Sequence, residues 1–387
     1  MHRWTPTSRR GLLALAAGSA IPAWALPTTT PAATSEIVIG QVAPLSGVLA
    51  STGEQMVLGG KIYFDAINAK GGIHGARIRT DVVDDQYKVD DTLRLTRDLL
   101  ARPEVVALYG FAGTANVGKL LSEGVLEAGG AALVAPYTGG ESLRNPLNPW
   151  IFHVRAGYAD EAEHMVRQAH TLGMTRIAVM YQDDAFGKAG LLGVENALTK
   201  RGLKLAAAAG YERNTDQVED AVQKIKASDA QAVIMISINK PTAAFVKRYR
   251  ELGGGAQLYN ISVVDAGVLE KLAGLKNAHG LGISQVVPYP YMPTLPVIRE
   301  YQTLLARHAP GQPVNYTSFE QFLGAKVLVE ALRRAGPAPT RAKVIKALES
   351  MGNYDLGGVS VGYSPANRVG SRFVDVTVIG SAGKLMR

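Results

Sequence analysis

From residue 36 onward, short β-branched runs alternate with amphipathic runs of about 10–15 residues. Glu36–Val42 predicts a strand, and Gly53–Ala69 predicts a helix whose apolar residues share one face. Parallel strands need a long crossover, usually a helix, whereas antiparallel strands can be joined by a tight turn. The alternation therefore constrains the chain to βαβ units and parallel sheets, which is an α/β fold.

The Pro-rich segment Asn145–Pro149 interrupts this alternation, which resumes at Ile151. We therefore predict two consecutive open α/β sheets. Three further helices follow without strands between them, near residues 295–307, 318–335 and 340–350. They have no sheet of their own, so we expect them to cover the first sheet. The chain then has to pass between two lobes more than once, and lobes connected in this way hinge, as a ligand clamp does.

The first 35 residues are not expected to belong to the fold. Residues 1–10 carry three Arg and no acid, Gly11–Ala25 is a run of small and apolar residues, and it ends in the cleavage pattern Ala23-Trp24-Ala25. As a helix this run reaches about 22 Å, short of the roughly 30 Å hydrocarbon core. Residues 1–25 therefore predict a secretory signal peptide. The pair Arg9-Arg10 resembles a twin-arginine signal, and the general secretory route stays open. Residues 26–35 predict a linker.

Charge and cysteine content exclude several classes of protein. The formal net charge is +8, but residues 1–25 hold three of the Arg, so the mature chain carries +5. The remaining basic residues are dispersed and form no stripe with interleaved aromatics, so no nucleic-acid partner is expected. The chain has no Cys, which excludes disulfides, thiolate metal sites, a cysteine nucleophile and a lipid anchor on Cys.

The sequence has no motif for catalysis or for a cofactor. It lacks G-x-S-x-G, H-E-x-x-H and the P-loop pattern, and its histidines are isolated. Asp84-Asp85 ends a predicted strand and is open to two interpretations, a cation site or a solvated turn. We therefore expect no enzyme activity, no cofactor and no metal.

The loops that follow the predicted strands are rich in small and hydroxyl residues. In open α/β sheets, ligands bind at the carboxyl ends of the strands. Five loops of this kind occur: 44–53, 111–114, 136–140, 183–187 and 239–241. Gly113 and Thr114 would present backbone N–H groups at a helix N-terminus, which suits an anion, although plain N-capping by Thr114 explains the same residues.

Several segments match one family: Ile37–Gly47, Ala66–Gly75, Val154–Tyr158, Tyr181–Gly187 and Tyr211–Asp216. In them the chain resembles the periplasmic branched-chain amino-acid (Leu/Ile/Val) binding proteins of ABC transporters, which have the type I periplasmic-binding fold. The resemblance covers essentially all of Glu36–Arg387. It implies two Rossmann-like lobes with parallel-sheet cores, joined by a three-strand hinge and closing on a ligand. The implied lobe bounds are 36–154 with 284–357, and 155–283 with 358–387.

The resemblance also implies ligand contacts. In amino-acid-binding members the first-lobe loops hold the α-carboxylate, an aromatic residue follows the first strand, and a tyrosine opens the second lobe. We carry these contacts over by position and add residues from the second-lobe loops. The expected ligand-binding residues are then Thr52, Ala112, Gly113, Thr114, Tyr137, Thr138, Gly139, Tyr158, Asp184, Phe186 and Asn239. Tyr137, Tyr158 and Phe186 could equally serve hinge and core packing.

One position departs from the family pattern. The second-lobe acid that holds an α-ammonium in amino-acid binders falls at Val263 or Val264 here. Asp184 or Asp265 could substitute for it. If neither reaches the cleft, a buried unpaired ammonium would cost several kcal/mol. The ligand would then be a carboxylate without an amine, such as an aromatic acid.

These observations predict a monomeric periplasmic receptor. It would clamp a small carboxylate-bearing ligand, an amino acid or an aromatic or aliphatic acid, and deliver it to an inner-membrane ABC permease. The alternative is a ligand sensor of the same fold that acts on a signalling partner. The segment Val287–Tyr291 is expected near a crossover and is a candidate partner surface.

Overall fold

The computed structural model describes residues 35–387. The predicted signal peptide and residues 26–34 of the predicted linker lie outside the described residues. Within the described part of the chain, no helix is both long enough and apolar enough to span a membrane.

The strands form two large sheets and one small ribbon. Their bounds are β1 Glu36–Ala43, β2 Arg77–Asp84, β3 Val105–Tyr109, β4 Leu133–Val134, β5 Ile151–Phe152, β6 Ile177–Gln182, β7 Leu205–Tyr211, β8 Ala232–Ile236, β9 Gln257–Asn260, β10 Gly282–Gln285, β11 Gly352–Asp355, β12 Ser360–Tyr363, β13 Asp375–Ile379 and β14 Leu385–Met386. The first sheet has the order β2-β1-β3-β4-β5, and its strands are all parallel. The second has the order β14-β13-β10-β9-β8-β6-β7, and only β13 and β14 are antiparallel to their neighbours. The predicted α/β fold with two parallel-sheet lobes is confirmed.

The helices lie between the strands and on the faces of the sheets. Their bounds are α1 Ala50–Asn68, α2 Val89–Leu100, α3 Thr114–Ser122, α4 Val125–Gly129, α5 Tyr158–Thr171, α6 Ala185–Thr199, α7 Glu219–Lys226, α8 Asn239–Glu251, α9 Ala266–Ala273, α10 Leu275–Ala278, α11 Pro296–His308, α12 Tyr316–Ala335 and α13 Arg341–Glu349. The elements on the first sheet are called the first lobe, and those on the second sheet the second lobe.

The late helices return to the first lobe, as their lack of a sheet predicts. α12 packs along α1 and contacts β4, and α13 contacts β3. The two long helices come close because α1 carries Gly59 at the crossing. A Cβ atom there would lie 2.1 Å from the backbone oxygen of Ser318, closer than any side chain tolerates.

The chain passes between the two sheets three times, after β5, after β10 and after β12. The lobe bound at 283/284 falls inside β10, and the one at 357/358 falls between the paired strands β11 and β12. We therefore propose that the second and third crossings lie at residues 286–295 and 364–374. The segment Val287–Tyr291 lies in the crossing at residues 286–295.

The element bounds differ from the sequence pattern in several places, most of which contain a glycine. The pattern predicts one helix over 114–128, but Gly124 has a φ of 62° and divides it into α3 and α4. The pattern also predicts a helix from 215, whereas α7 begins at Glu219. α9 and α10 were not expected, because Gly267 and Gly274 break the apolar periodicity of that stretch.

Candidate ligand-binding cleft

A small aromatic cavity lies where the loops of the two lobes meet. Its volume is about 10 Å³, which is room for about one water molecule. The lining residues come from both lobes and are Leu49, Tyr87, Gly113, Tyr137, Tyr158, Phe186, Ile238 and Val263. The rings of Tyr158 and Phe186, both of the second lobe, meet edge to face at 5.3 Å between centroids. The Tyr137 hydroxyl of the first lobe lies 3.3 Å from the Ser262 oxygen of the second, so the lobes are in contact across the cleft in this structure.

Two buried threonines stand beside this cavity, at the ends of β3 and β4. The hydroxyl oxygens of Thr114 and Thr138 lie 2.7 Å apart, and the Gly140 N–H donates to Thr138 Oγ1 at 3.2 Å. One of the two hydroxyl protons is used between the threonines. The Tyr158 hydroxyl also lies within hydrogen-bonding reach of Thr138, so a ligand oxygen that enters here can accept from these hydroxyls.

The backbone beside the threonines is shaped by glycine. Gly113 has a φ of 91°, and a Cβ atom there would lie 2.5 Å from Asn116 Oδ1. α3 begins at Thr114, so its first N–H groups have no partner within the helix and favour negative charge. The expected anion-binding character of this loop thus has a geometric basis in the hydroxyl pair and the helix N-terminus.

A much larger cavity, of about 570 Å³, lies next to the first one along the cleft. It is bridged by one hydrogen bond between the lobes, from Asn239 Nδ2 to Thr52 Oγ1 at 3.2 Å. Its lining includes residues of α1, the ends of α8 and α9, and the crossover tyrosines Tyr289 and Tyr291. Thr52 lies in the first turn of α1 and not in a loop, which corrects the sequence-based placement.

Arg213 forms a second connection between the lobes. From the loop after β7, its guanidinium donates to the carbonyl oxygen of Tyr87 and to Asn116 Oδ1, both at 2.7 Å and both in the first lobe. It also donates to Asp184 Oδ2 of its own lobe at 2.8 Å and lies 4.1 Å from the centroid of the Tyr87 ring. This contact is called the Arg213 latch below.

A buried charge cluster lies at the first crossing of the chain. Arg155 is fully buried, donates to Glu161 at 2.8 Å, and lies 3.4 Å from Glu320 Oε1. Glu161 in turn accepts from the Ser262 N–H at 2.8 Å and from the Ser284 hydroxyl at 2.5 Å. Burial raises the pKa of Glu320 to about 7, although Arg155 opposes the shift. The cluster joins α12 of the first lobe to α5, β10 and the Ser262 loop of the second.

The two cavities divide the expected ligand contacts into three groups. Gly113, Tyr137, Tyr158 and Phe186 line the small cavity, and Thr52 and Asn239 line the large one. The remaining expected contacts line neither cavity: Ala112, Thr114, Thr138, Gly139 and Asp184. Tyr137 also has a packing role, because its hydroxyl contacts the Ser262 oxygen at 3.3 Å and the Thr317 hydroxyl at 3.1 Å.

Asp184, one of the two acids that could hold a ligand ammonium, is occupied by donors of the protein itself in this structure. Its Oδ1 accepts from the N–H groups of Phe186 and Gly187, and its Oδ2 accepts from Arg213 and Gln182. All four acceptor positions of the carboxylate are thereby used. Asp184 caps α6 and anchors the latch. Val263, one of the two residues that match the position of the family's acid, lines the small cavity.

Asp265, the other candidate acid, lies in a different environment. It caps α9 through Oδ1, which accepts from the Val268 N–H at 3.0 Å, and it lines the large cavity. Burial raises the pKa of this carboxyl above its ordinary value. Asp84 and Asp85 hold turns, since Asp84 accepts from the Leu45 and Gln86 N–H groups and Asp85 from the Tyr87 N–H. This geometry favours the turn interpretation of the pair, but the turn is not solvated throughout, since Asp85 is buried.

Sequence reasoning did not single out Tyr87, Arg155, Glu161, Arg213 or Glu320 as site residues. Arg155 and Arg213 each lie inside a segment that resembles the family. This position is the one sequence signal that could have indicated a role for them at the site. Their partners are remote in sequence: Arg155 and Glu320 are 165 positions apart, and Arg213 and Tyr87 are 126 apart. No local pattern predicts such pairs.

Comparison with known proteins agrees with this architecture. Residues 36–384 match the family model described as periplasmic binding protein. The chain is 25% identical over 354 residues to Leu/Ile/Val-binding protein homolog 7 of Brucella abortus, covering 86% of this chain and 85% of that one.

Two solved structures are similar in both fold and sequence. A substrate-binding periplasmic protein from Ralstonia solanacearum has a TM-score of 0.87 and 40% identity, over 91% of this chain and 99% of that chain. An extracellular ligand-binding receptor from Verminephrobacter eiseniae has a TM-score of 0.85 and 30% identity, over 91% of this chain and all of that chain. The chain therefore belongs to the periplasmic binding proteins of type I fold, in the family of the branched-chain amino-acid binding proteins.

Proposed function

We propose that the protein is a periplasmic receptor that binds a small carboxylate-bearing ligand between its lobes and delivers it to an inner-membrane ABC permease. The observation that carries this proposal is the Thr114–Thr138 hydroxyl pair at the N-terminus of α3, beside a cavity that both lobes line. The name of the Brucella relative, a Leu/Ile/Val-binding protein homolog, supports a small-molecule ligand with a carboxylate.

The receptor needs no chemistry of its own, because binding is coupled to hinge closure. A ligand that contacts both lobes stabilises the closed state. To move an open-to-closed ratio from 99:1 to 1:99, it has to favour the closed state by roughly 5.5 kcal/mol. The Arg213 latch and the Asn239–Thr52 hydrogen bond supply part of the closing free energy without a ligand, so less is needed from the ligand.

The small cavity favours a ligand with an apolar or aromatic body. Its lining contains four aromatic rings and, among the described residues, no acidic side chain. A carboxylate at the threonine pair would gain a hydrogen bond and the helix dipole, and its body would then pack against the rings of Tyr137, Tyr158 and Phe186. Since the cavity holds only about one water molecule, we propose that these rings and the lobes move apart to admit the ligand.

Thr138→Ala is expected to weaken ligand binding by about tenfold or more. The substitution removes a hydroxyl from a charge-assisted hydrogen bond, which is worth roughly 1.5–3 kcal/mol. The wild-type mature protein is titrated calorimetrically with L-leucine, benzoate and succinate. The variant is then titrated with each of these compounds that binds the wild type.

Thr96→Ala is the matched control for this substitution. Thr96 is a fully buried first-lobe threonine whose hydroxyl donates only to the Thr92 carbonyl oxygen of its own helix. The control should bind as the wild type does. Full-strength binding by Thr138→Ala would contradict the assignment of the carboxylate to this loop.

A further inference from the structure

We propose that the large cavity of the cleft binds an organic ammonium group, with Asp265 as its counter-charge. The ligand class this implies is an amine whose cation is separated by a carbon chain from any carboxylate that it carries. The inference rests on the proposed function, since it treats the cleft as the binding site of a receptor. It assigns to Asp265 the role of counter-charge for a ligand ammonium, which Val263 and Asp184 do not provide.

Asp265 lines the cavity with a carboxylate that has no side-chain partner. Its donors come from the backbone of α9, the Val268 N–H to Oδ1 at 3.0 Å and the Gly267 N–H beside it, and no side chain in the range 35–387 donates to either oxygen. The backbone N–H of Asp265 donates to Asn239 Oδ1 at 2.8 Å, which fixes the residue beside the Asn239–Thr52 bridge. Asp265 also forms no salt bridge within that range.

Tyrosine rings form the wall of the same cavity. Tyr289 and Tyr291 both line it, with centroids 5.1 Å apart, and the Tyr291 ring lies 5.9 Å from that of Tyr316. Tyr289 is held by a hydrogen bond from its hydroxyl to the Leu385 oxygen at 2.7 Å. The faces of aromatic rings attract ammonium groups, and the attraction increases where water is excluded. The Arg387 guanidinium already lies 5.9 Å from the centroid of the Tyr289 ring, which leaves the Tyr291 ring for a ligand cation. An acid and this ring at one cavity favour a cation.

The other charged residues of the lining lie at the surface. Glu54 and Lys384 are both exposed, and they are of opposite sign. Among the lining residues, Asp265 is thus the one partly buried charge, and solvent screens it least. The cavity volume of about 570 Å³ lies within the range of roughly 300–1,000 Å³ that is usual for small-molecule sites.

The ligand's charges have to be separated, because the two cavities share no lining residue. The threonine pair and Gly113 lie on the side of the small cavity, and Asp265 lies at the large one. Tyr137 stands between them, since it lines the small cavity while its hydroxyl contacts Thr317, which lines the large one. An α-amino acid carries both charges on one carbon and cannot place them in both cavities.

Four six-carbon probes test this inference: hexanoate, 2-aminohexanoate, 6-aminohexanoate and hexylamine. They have the same chain and differ in the presence and position of the amine and the carboxylate. In isothermal titrations of the mature protein, 6-aminohexanoate is expected to bind at least tenfold more tightly than hexanoate and 2-aminohexanoate. Hexylamine is expected to show measurable binding.

Asp265→Asn is the decisive variant. Asn caps a helix about as well as Asp, so the fold of α9 is preserved while the charge is removed. The affinity of the variant for 6-aminohexanoate and hexylamine should fall at least tenfold, and its affinity for hexanoate should stay unchanged. The control Asp220→Asn makes the same change at an exposed second-lobe acid that lines neither cavity, and it should change each affinity less than twofold.

The outcomes separate this inference from the proposed function. Equal affinities for hexanoate and 6-aminohexanoate, unaffected by Asp265→Asn, would overturn the ammonium site and leave a carboxylate receptor. Binding of hexylamine that is lost in Asp265→Asn would support the ammonium site even if no carboxylate bound. If neither 6-aminohexanoate nor hexylamine binds, the ammonium site is wrong whatever hexanoate does.

Discussion

Replacing Arg155 by Met is expected to lower the free energy of unfolding by about 3–5 kcal/mol. Arg155 is the cation between two buried carboxylates, Glu161 and Glu320, whose side chains are 0% and 3% exposed. Removing one partner of a buried ion pair leaves an uncompensated buried charge, which strongly destabilises the folded state. The measurement is urea denaturation followed by circular dichroism at pH 8, above the raised pKa of Glu320.

An exposed arginine gives the matched comparison. Arg94 also contacts two acids, Asp91 and Asp98, but its side chain is 61% exposed. Surface ion pairs of this kind contribute roughly 0–1 kcal/mol. Arg94→Met should therefore change the free energy of unfolding by less than about 1 kcal/mol. A loss of similar size in both variants would show that the buried charge cluster around Arg155 has no special role in stability.

Arg213→Ala is expected to shift the free protein towards the open state and to weaken ligand binding about tenfold or more. The substitution removes two hydrogen bonds across the cleft, to the Tyr87 oxygen and to Asn116, and the contact with the Tyr87 ring. Hydrogen bonds from a charged group contribute roughly 1.5–3 kcal/mol each, and the ligand would have to replace this closing free energy. Small-angle X-ray scattering should show a larger radius of gyration without ligand.

Arg201→Ala is the control for the latch. The side chains of Arg201 and Arg213 are 15% and 16% exposed, and each pairs with one acid of the second lobe. Arg201 bonds only to Glu163 and to the Ala197 oxygen, both in its own lobe. Its loss should lower stability without changing the radius of gyration or the affinity. An unchanged radius and affinity in Arg213→Ala would contradict the role of the latch in closure.

Much of the fold followed from the sequence because its determinants are local. The alternation that begins with Glu36–Val42 specifies strands and crossover helices, and the helices near 295–350 had no sheet to cover except the first. Helix bounds are harder to predict where a single residue decides them. At Gly124, for example, the positive φ separates α3 from α4. The loops of the cleft were also predicted, since strand ends converge at one edge of a parallel sheet.

The charged contacts between and within the lobes could not be predicted from local patterns. Whether Asp184 faces a ligand or a neighbouring arginine depends on the position of Arg213, 29 residues away. The separation into a small cavity and a large one depends on how closely the lobes approach. Neither the spacing of residues nor the resemblance fixes that distance, so the ammonium candidates Asp184 and Asp265 could not be distinguished.

A thermal-shift screen of the mature protein tests most directly whether this chain is a receptor for small carboxylates. The compounds are amino acids, including those with a terminal amine, aromatic acids and dicarboxylates. A ligand present at 100 times its Kd stabilises the folded state by about 2.7 kcal/mol, which raises the Tm by several degrees. At least one of these carboxylates is expected to do so and to be recovered unchanged. A screen in which none of them raises the Tm, or in which the bound compound is converted to a product, would contradict the proposed function.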